Sequence, residues 1–236
     1  MTQQDAGPTA TGTPIDALDT LLQQRHSCRA FRNEPVPRTT ILQILRTAQR
    51  TASWCNSQPW QAHIVSGAPL QALLGDLMAH AQAGAPPAPE IDWPQYHGTY
   101  QQRRRECGRA LYQAVGVQAG DRAASARQTQ ENFRAFGAPH LAIVTSAAAL
   151  GTHGVMDCGA WVANFMLAAT ALGVASIAQA AMATWPDVLR QHLNIPAERR
   201  IVCGLSFGWE DTQHPANGFR TSRVPVDDVV QWVGLT

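Results

Sequence analysis

The hydrophobic and polar positions divide the chain into a nearly all-apolar stretch, several amphipathic segments and a long polar region. Residues 155–173, VMDCGAWVANFMLAATALG, are apolar or small almost throughout; Asp157 and Asn164 are the clear polar members, and Thr170 is intermediate. An amphipathic surface helix would carry a polar half, so this segment is expected to be buried on most sides, as the spine of the core and the seam of a dimer. The polar interruptions and the lack of charged flanks argue against a membrane span. Gly173 is placed to stop the helix in a left-handed cap. Val174-Ala175-Ser176-Ile177 then reads as a short strand leading into Ala178-Gln179-Ala180-Ala181.

Ahead of the spine, Ile15, Leu18, Leu21 and Leu22 share one face of a helix running from Pro14 to near Gln24. Ile41, Leu42, Leu45 and Ala48 mark a second helix, and Leu73, Leu74, Leu77 and Met78 the inner face of a third over 70–81. Residues 62–65, 141–145 and 200–207 read as strands, with a short helix near 186–192. Residues 82–100 fit neither period, 101–118 are helix-like with a basic Arg103–Arg105 run on a solvated face, and 120–136 are polar and helical in part. The span 82–136 is read as an insertion packed over a compact core, and 226–233 as a last helical turn or two. Several helices around about four short strands give an α+β fold, with helices on both faces of a small sheet, in a single domain over 14–236. Residues 1–13 have neither a basic start nor an apolar core; they are expected to be a disordered lead rather than a signal peptide.

Charge and composition narrow the chemistry. With a net charge of +1 the chain offers no electrostatic case for nucleic acid or an anionic membrane surface. All 18 basic residues are arginine, which excludes Schiff-base lysines, P-loops and Ser–Lys dyads. The five cysteines are odd in number and widely spaced, so free thiols in a reducing cytoplasm are expected, with no disulfide frame and no metal site. No G-x-G-x-x-G supports a dinucleotide fold. Gly204-Leu205-Ser206-Phe207-Gly208 matches the nucleophile elbow of serine hydrolases, but WEDTQHPANG follows instead of a helix, and His214 is too close to form a triad arm. A strand with a small residue near its end is the better account.

Three polar segments remain. Arg25-His26-Ser27-Cys28-Arg29 offers two guanidinium groups and a hydroxyl just past a helix, a set that suits a phosphate. Ser53, Asn56 and Gln58 form a polar loop closed by Pro59-Trp60, and Phe219-Arg220-Thr221-Ser222-Arg223 again supplies Arg, Ser, Arg. RHSCRAF, SWCNSQPW, the apolar helix into GVASIAQAAM and a terminal TSRVP, in this order, together resemble the FMN-dependent nitroreductase family from about Pro14 to Val230. Residues 82–136 match only loosely.

That resemblance implies an obligate, intertwined homodimer with FMN in each of two interface sites, and an antiparallel sheet completed by the partner's C-terminal segment. It implies FMN-phosphate contacts from Arg25, Ser27 and Arg223, with His26 beside them, and a cation, Arg29, near the flavin pyrimidine edge. Ala52, Ser53, Trp54, Asn56 and Gln58 match the loop that reaches the flavin from the other subunit; Ala178, Gln179 and Ala180 match the segment along the isoalloxazine ring. Ala52 and Ala178 stand where the family often has proline, and Trp54 where a small residue is common, which bears on substrate preference. The implied reaction is ping-pong: NAD(P)H reduces FMN and leaves, then a nitroaromatic, a quinone or another flat electrophile is reduced at the same face. Arg29 acts as an electrostatic tuner, and no side-chain acid or base is required. Another reductive or flavin-consuming reaction on this scaffold, or flavin binding without turnover, stands as the alternative.

Overall fold

Four strands at the centre of the computed structural model, which describes residues 12–234, form a fully antiparallel sheet in the order β1-β2-β4-β3. They are β1 (Trp60–Ser66), β2 (His140–Ala147), β3 (Ala175–Gln179) and β4 (Arg199–Gly208). The expected lead over 1–13 lies outside the described residues apart from Gly12 and Thr13, and Thr13 caps the first helix reciprocally with Asp16.

β2 runs between β1 and β4 and is buried along nearly its whole length, so its sequence is a continuous apolar run rather than an alternation. Leu141 and Ile143 enter the cluster that contains Leu70, Leu73 and Leu77 of α3 (Gly67–Gln82) and Leu189 of α7 (Pro186–Leu193). Ala142 and Val144 point the other way, towards Ile44 of α2 (Arg38–Ala48) and Phe165 of α6 (Gly151–Ala171). Helices therefore cover both faces, as the segment pattern predicts. On β4 the register slips between Val144 and Thr145, where an extra residue, Val202, bulges out. The bulge explains why Ile201 and Leu205, of the same parity, belong to opposite core faces. The Ile201 N–H there donates to Glu90 Oε2 at 2.6 Å, and Glu90 is also paired with Arg190.

α6 begins four residues ahead of the apolar run and ends before Gly173, whose φ of +71° confirms the left-handed stop. Phe165 is fully buried, edge-on to Phe207 at 5.4 Å and 5.5 Å from Trp161. Asp157 and Asn164 of the apolar run have structural partners. Asp157 accepts from the Trp54 N–H at 3.1 Å, and Asn164 donates to Thr51 Oγ1 at 2.7 Å. The expectation of burial on most sides needs correction: Met156, Gly159, Ala160 and Ala163 lie on one exposed stripe, with Met156 64% exposed.

Three other expectations change. The apolar face of α1 (Pro14–Gln24) is not covered by its own chain, and Ile15, at 59%, and Leu22, at 50%, are largely exposed. The helix expected at 101–118 is α4 (Gly98–Ala114), followed by α5 (Arg122–Gln130); neither buries a residue fully. At 226–233 only a single 3-10 turn, Val226–Asp228, forms. Among the described residues no helix is long and apolar enough to cross a membrane.

His140, at the start of β2, is a buried polar group with both ring nitrogens engaged. The Val36 N–H donates to Nε2 at 2.8 Å, which makes that nitrogen the acceptor and leaves Nδ1–H to donate to Ser66 Oγ at 2.6 Å. Burial holds its pKa below the usual 6.5. The unfolded chain therefore takes up this proton at higher pH than the folded one. Stability is full above 6.5 and is lost as pH falls towards the lower folded value. His63, lowered by burial and then by Arg199, adds a dependence of the same sign. The thermal midpoint should fall between about pH 7.5 and pH 5, and should fall less in His140→Gln, which does not titrate. Equal slopes in melting curves of the two proteins would assign the effect elsewhere.

Candidate functional site

The chain leaves α1 at Arg25 and runs extended across the ends of two strands. Ser27 bridges Ser176 of β3 in parallel, the Cys28 N–H donates to the Ser176 carbonyl at 3.2 Å, and Phe31 bridges Glu210 just past β4. An extended run alternates its side chains, so Cys28 and Ala30 go into the core. Arg25, Ser27 and Arg29 stay together on the other side. Asn217, buried in a short 3-10 turn (Pro215–Asn217), fixes the crossing. Its Oδ1 accepts from the Arg29 N–H at 2.7 Å, and its Nδ2 donates to the Ala30 and Asp211 carbonyls at 2.9 Å each. His26 is held by Glu210 at 2.9 Å through Nε2, with Nδ1 3.0 Å from the Gln24 carbonyl. No pattern marks Asn217, because its partner at position 29 is far away in sequence.

These three side chains and the C-terminal run Arg220, Thr221 and Arg223 line one cavity of about 640 Å³. Four guanidinium groups and two hydroxyls thus face a common space, with Asp19 the sole carboxylate in the lining. Among the described residues no carboxylate lies within 4.0 Å of any of the four arginines. The Arg25 pKa is lowered by burial and then by Arg223, and burial lowers that of Arg29. Arg29 donates to the Ser27 carbonyl at 3.1 Å and lies over the Phe219 ring at 5.7 Å; Glu34 pairs instead with Arg32, at 3.4 Å. Such a cluster is complementary to a multiply charged anion. The segments 25–29 and 219–223 both pointed to this set, although Thr221 and not Ser222 lines the cavity.

The loop bearing Ala52, Ser53, Trp54, Asn56 and Gln58 is not part of that cavity. It sits against the first half of α6, where Ser53 Oγ accepts from the Gln58 N–H at 2.9 Å. Cys55, Asn56 and Gln58 all have positive φ (49°, 55° and 47°), so the turn is strained and held by its surroundings. Asp157 and Asn164 anchor one end. At the other end Arg199 donates to the Pro59 carbonyl and to Thr145 Oγ1, both at 2.7 Å. Trp54 is 64% exposed and its ring lies 4.5 Å from that of His153. The role of Arg199 had no sequence signal, since a charged residue opening a strand reads as solvated.

At the end of β3 the structure separates three residues that the motif groups together. Ala178 and Ala180 are exposed, whereas the Gln179 side chain is buried, so only its backbone is open on that side. Strand alternation turns it inward, where Nε2 donates to the Asn132 carbonyl at 3.1 Å and Oε1 accepts from Ser206 Oγ. Ser206 is accordingly a fully buried mid-strand residue, not a nucleophile on an elbow. Burial pushes the Cys28 thiol up to about 12, which keeps it neutral beside the cavity. Among the described residues no group of three or more His, Cys, Asp or Glu is placed to hold a metal ion.

The sequence model of the Nitroreductase family matches residues 22–209, most of the chain. The chain belongs to the nitroreductase family. Its relatives include 4-nitrobenzoate reductase of Nocardioides sp. (strain LMS-CY), 32% identical with 90% of this chain and 88% of that protein covered. Nitroreductase NfnB of Mycolicibacterium smegmatis is 31% identical, covering 94% of this chain and 96% of that one. The crystal structure of the FMN and NADPH-dependent nitroreductase NfnB from Sphigopyxis sp. strain HMH superimposes with a TM-score of 0.88 at 32% identity, over 92% of this chain and 99% of that chain. The M. smegmatis NfnB structure in complex with NADPH gives the same TM-score at 28% identity, over 93% and 99%.

In this nitroreductase-family chain Asn217→Ala should be strongly destabilising although Asn217 lies outside the cavity lining. It removes three hydrogen bonds and strands the Arg29 N–H, so a loss of about 3 kcal/mol is expected. Urea unfolding measures it. An unchanged midpoint would show that the crossing of 27–32 is held without the asparagine.

Proposed function

We propose that the chain is an FMN-dependent oxidoreductase that uses NAD(P)H to reduce nitroaromatic compounds or similar flat electrophiles, as a homodimer with two sites. The observation that carries this reading is the cavity of four arginines with no carboxylate ion-paired to them among the described residues. FMN ends in a phosphate, and the donor set fits it: guanidinium forks and a hydroxyl bind a phosphate dianion through short, charge-assisted hydrogen bonds. Arg25, Ser27 and Arg223 would hold that group, and the repulsion between Arg25 and Arg223 would be relieved by it.

When bound, FMN would supply the two-electron chemistry between NAD(P)H and the acceptor. The chain's own residues position and tune. Arg29, with no carboxylate partner among the described residues and steadied by Phe219, would favour negative charge at the pyrimidine edge. The exposed Ala178 and Ala180 methyls leave room for a flat ring system beside β3. Protons can come from water, and no side-chain acid or base is needed.

The second subunit follows from what one chain leaves apart. Ser53, Trp54, Asn56 and Gln58 lie away from the arginine cavity, and a partner would bring its own copy of that loop to the flavin. The apolar face of α1, the open stripe of α6 and the exposed Val226, Val229 and Trp232 support such an interface, since a monomer seldom leaves this much apolar surface in water. Among the described residues β1 is paired on one side only, which leaves an edge for the partner's C-terminal segment.

The purified protein should be yellow, lose its flavin absorbance when NADPH is added without air, and regain it with a nitroaromatic compound. Arg25→Ala should weaken FMN binding by about 2 kcal/mol, roughly 30-fold, while riboflavin, which lacks the phosphate, binds both proteins alike. A variant with undiminished preference for FMN over riboflavin would move the phosphate elsewhere. Gel filtration should give a dimer; a stable folded monomer at micromolar concentration would refute the shared site.

A further inference from the structure

Beyond the first cavity lies a second, of about 760 Å³, bounded by α4 on one side and the Arg220–Val224 run on the other. The two adjoin, since Cys107, Arg220, Thr221 and Arg223 line both. α4 turns Thr99, Gln102, Arg103, Glu106, Cys107 and Ala110 towards it, one helical face by spacing. The basic run read from the sequence as a solvated face is exposed at all three positions, Arg103, Arg104 and Arg105. Arg103 also lines this open groove, and Arg104 stacks over Tyr96 at 5.4 Å.

Arg103 has no carboxylate within 4.0 Å among the described residues. Glu106, the acid on the same face, accepts from Gln102 Nε2 at 2.9 Å, and the remaining acid in the lining is Asp228. Hydroxyls of Thr99, Thr221 and Ser222 complete a polar wall. A guanidinium that faces a cavity with no ion pair, next to a phosphate-binding cluster, is arranged for a second anion.

We propose that this second cavity takes the adenosine 2′-phosphate of NADPH, with Arg103 as the residue that selects NADPH over NADH. The inference rests on the reading that FMN phosphate fills the first cavity. The phosphate of FMN is matched there by Arg25 and Arg223, which leaves Arg103 for the other obligatory ligand of the reaction. NADPH and NADH differ only by a ribose phosphate monoester, close to a dianion at neutral pH because its second ionisation lies near 6. A planar guanidinium fork can grip such a group with two parallel hydrogen bonds, and the nearby hydroxyls suit a ribose.

The experiment uses the FMN-loaded protein. Calorimetric titration with adenosine 2′,5′-bisphosphate and with adenosine 5′-monophosphate should show at least about tenfold tighter binding of the bisphosphate, as for a charge-assisted hydrogen bond. Arg103→Ala should abolish that difference, and should lower the NADPH over NADH preference in kcat/KM by about 30-fold. Arg105→Ala, on the solvent side of the same helix, should leave both unchanged. Equal binding of the two nucleotides to the native protein would overturn the proposal. So would an Arg103→Ala variant in which the NADPH and NADH constants move together, because that places the arginine on the shared pyrophosphate. An Arg105→Ala variant as impaired as Arg103→Ala would overturn it as well, by showing a diffuse field instead of a site. FMN content, read from the absorbance of the same samples, separates the two readings. Protein that binds no FMN sinks the reading of the first cavity, whereas yellow protein that ignores the 2′-phosphate sinks this one.

Discussion

The contact between Phe165 of α6 and Phe207 of β4 fixes the relation between the long helix and the sheet, and the rest of the site is placed from it. With α6 held across β2 and β4, Asp157 and Asn164 come to lie under the loop at 51–58 and hold its strained turn. At the other end of the helix Gly173 reverses the chain into β3, where Ser176 receives the extended run from Ser27. Beyond β4 the chain runs on to Trp209 and Glu210, which pair with Arg32 and Phe31. One packed aromatic pair therefore supports two polar segments from opposite ends of the same helix. Dense packing of this kind passes small shifts on to its neighbours instead of absorbing them.

Electrostatically, the molecule keeps its positive charge where it is least comfortable. Nothing in the net charge of +1 announces a cavity with four arginines and a single carboxylate in its lining. Burial and mutual repulsion both act against the charged form of Arg25, yet a guanidinium keeps its proton at any ordinary pH. The unfavourable energy therefore stays in the free protein and is released when an anion enters. The neutral neighbours are consistent with this: the Cys28 thiol is pushed up to about 12, so it neither offsets the cluster nor competes as a nucleophile.

Much of this arrangement was legible in the chain. Periodicity located all four strands and most of the helices, because β2, β4 and α6 are buried by their own sequence and have little alternative. The spacing of Arg25, Ser27 and Arg29 was legible as an anion motif, although the reason they converge, an extended run with Cys28 and Ala30 turned inward, requires the structure. Membership of the nitroreductase family agrees with the resemblance carried by RHSCRAF and SWCNSQPW. Asn217, Arg199 and the inward turn of Gln179 gave no warning. Each acts through a partner distant in sequence, and composition carries no information about such pairs.

The sequence by itself determined the secondary structure of the core, the two-faced cover of helices and the residue types that can meet a phosphate, since these follow from local periodicity and side-chain chemistry. It could not tell that Arg103, exposed like its two neighbours, lines a groove between α4 and the tail, because that depends on the rotation of α4 against the tail. Nor could it tell that the two polar residues of its most apolar helix are anchors for a loop about a hundred positions away. Only tertiary structure decides such matters, because a hydrogen bond or an unpaired charge is defined by what lies within a few ångströms, and the chain brings those groups together only on folding.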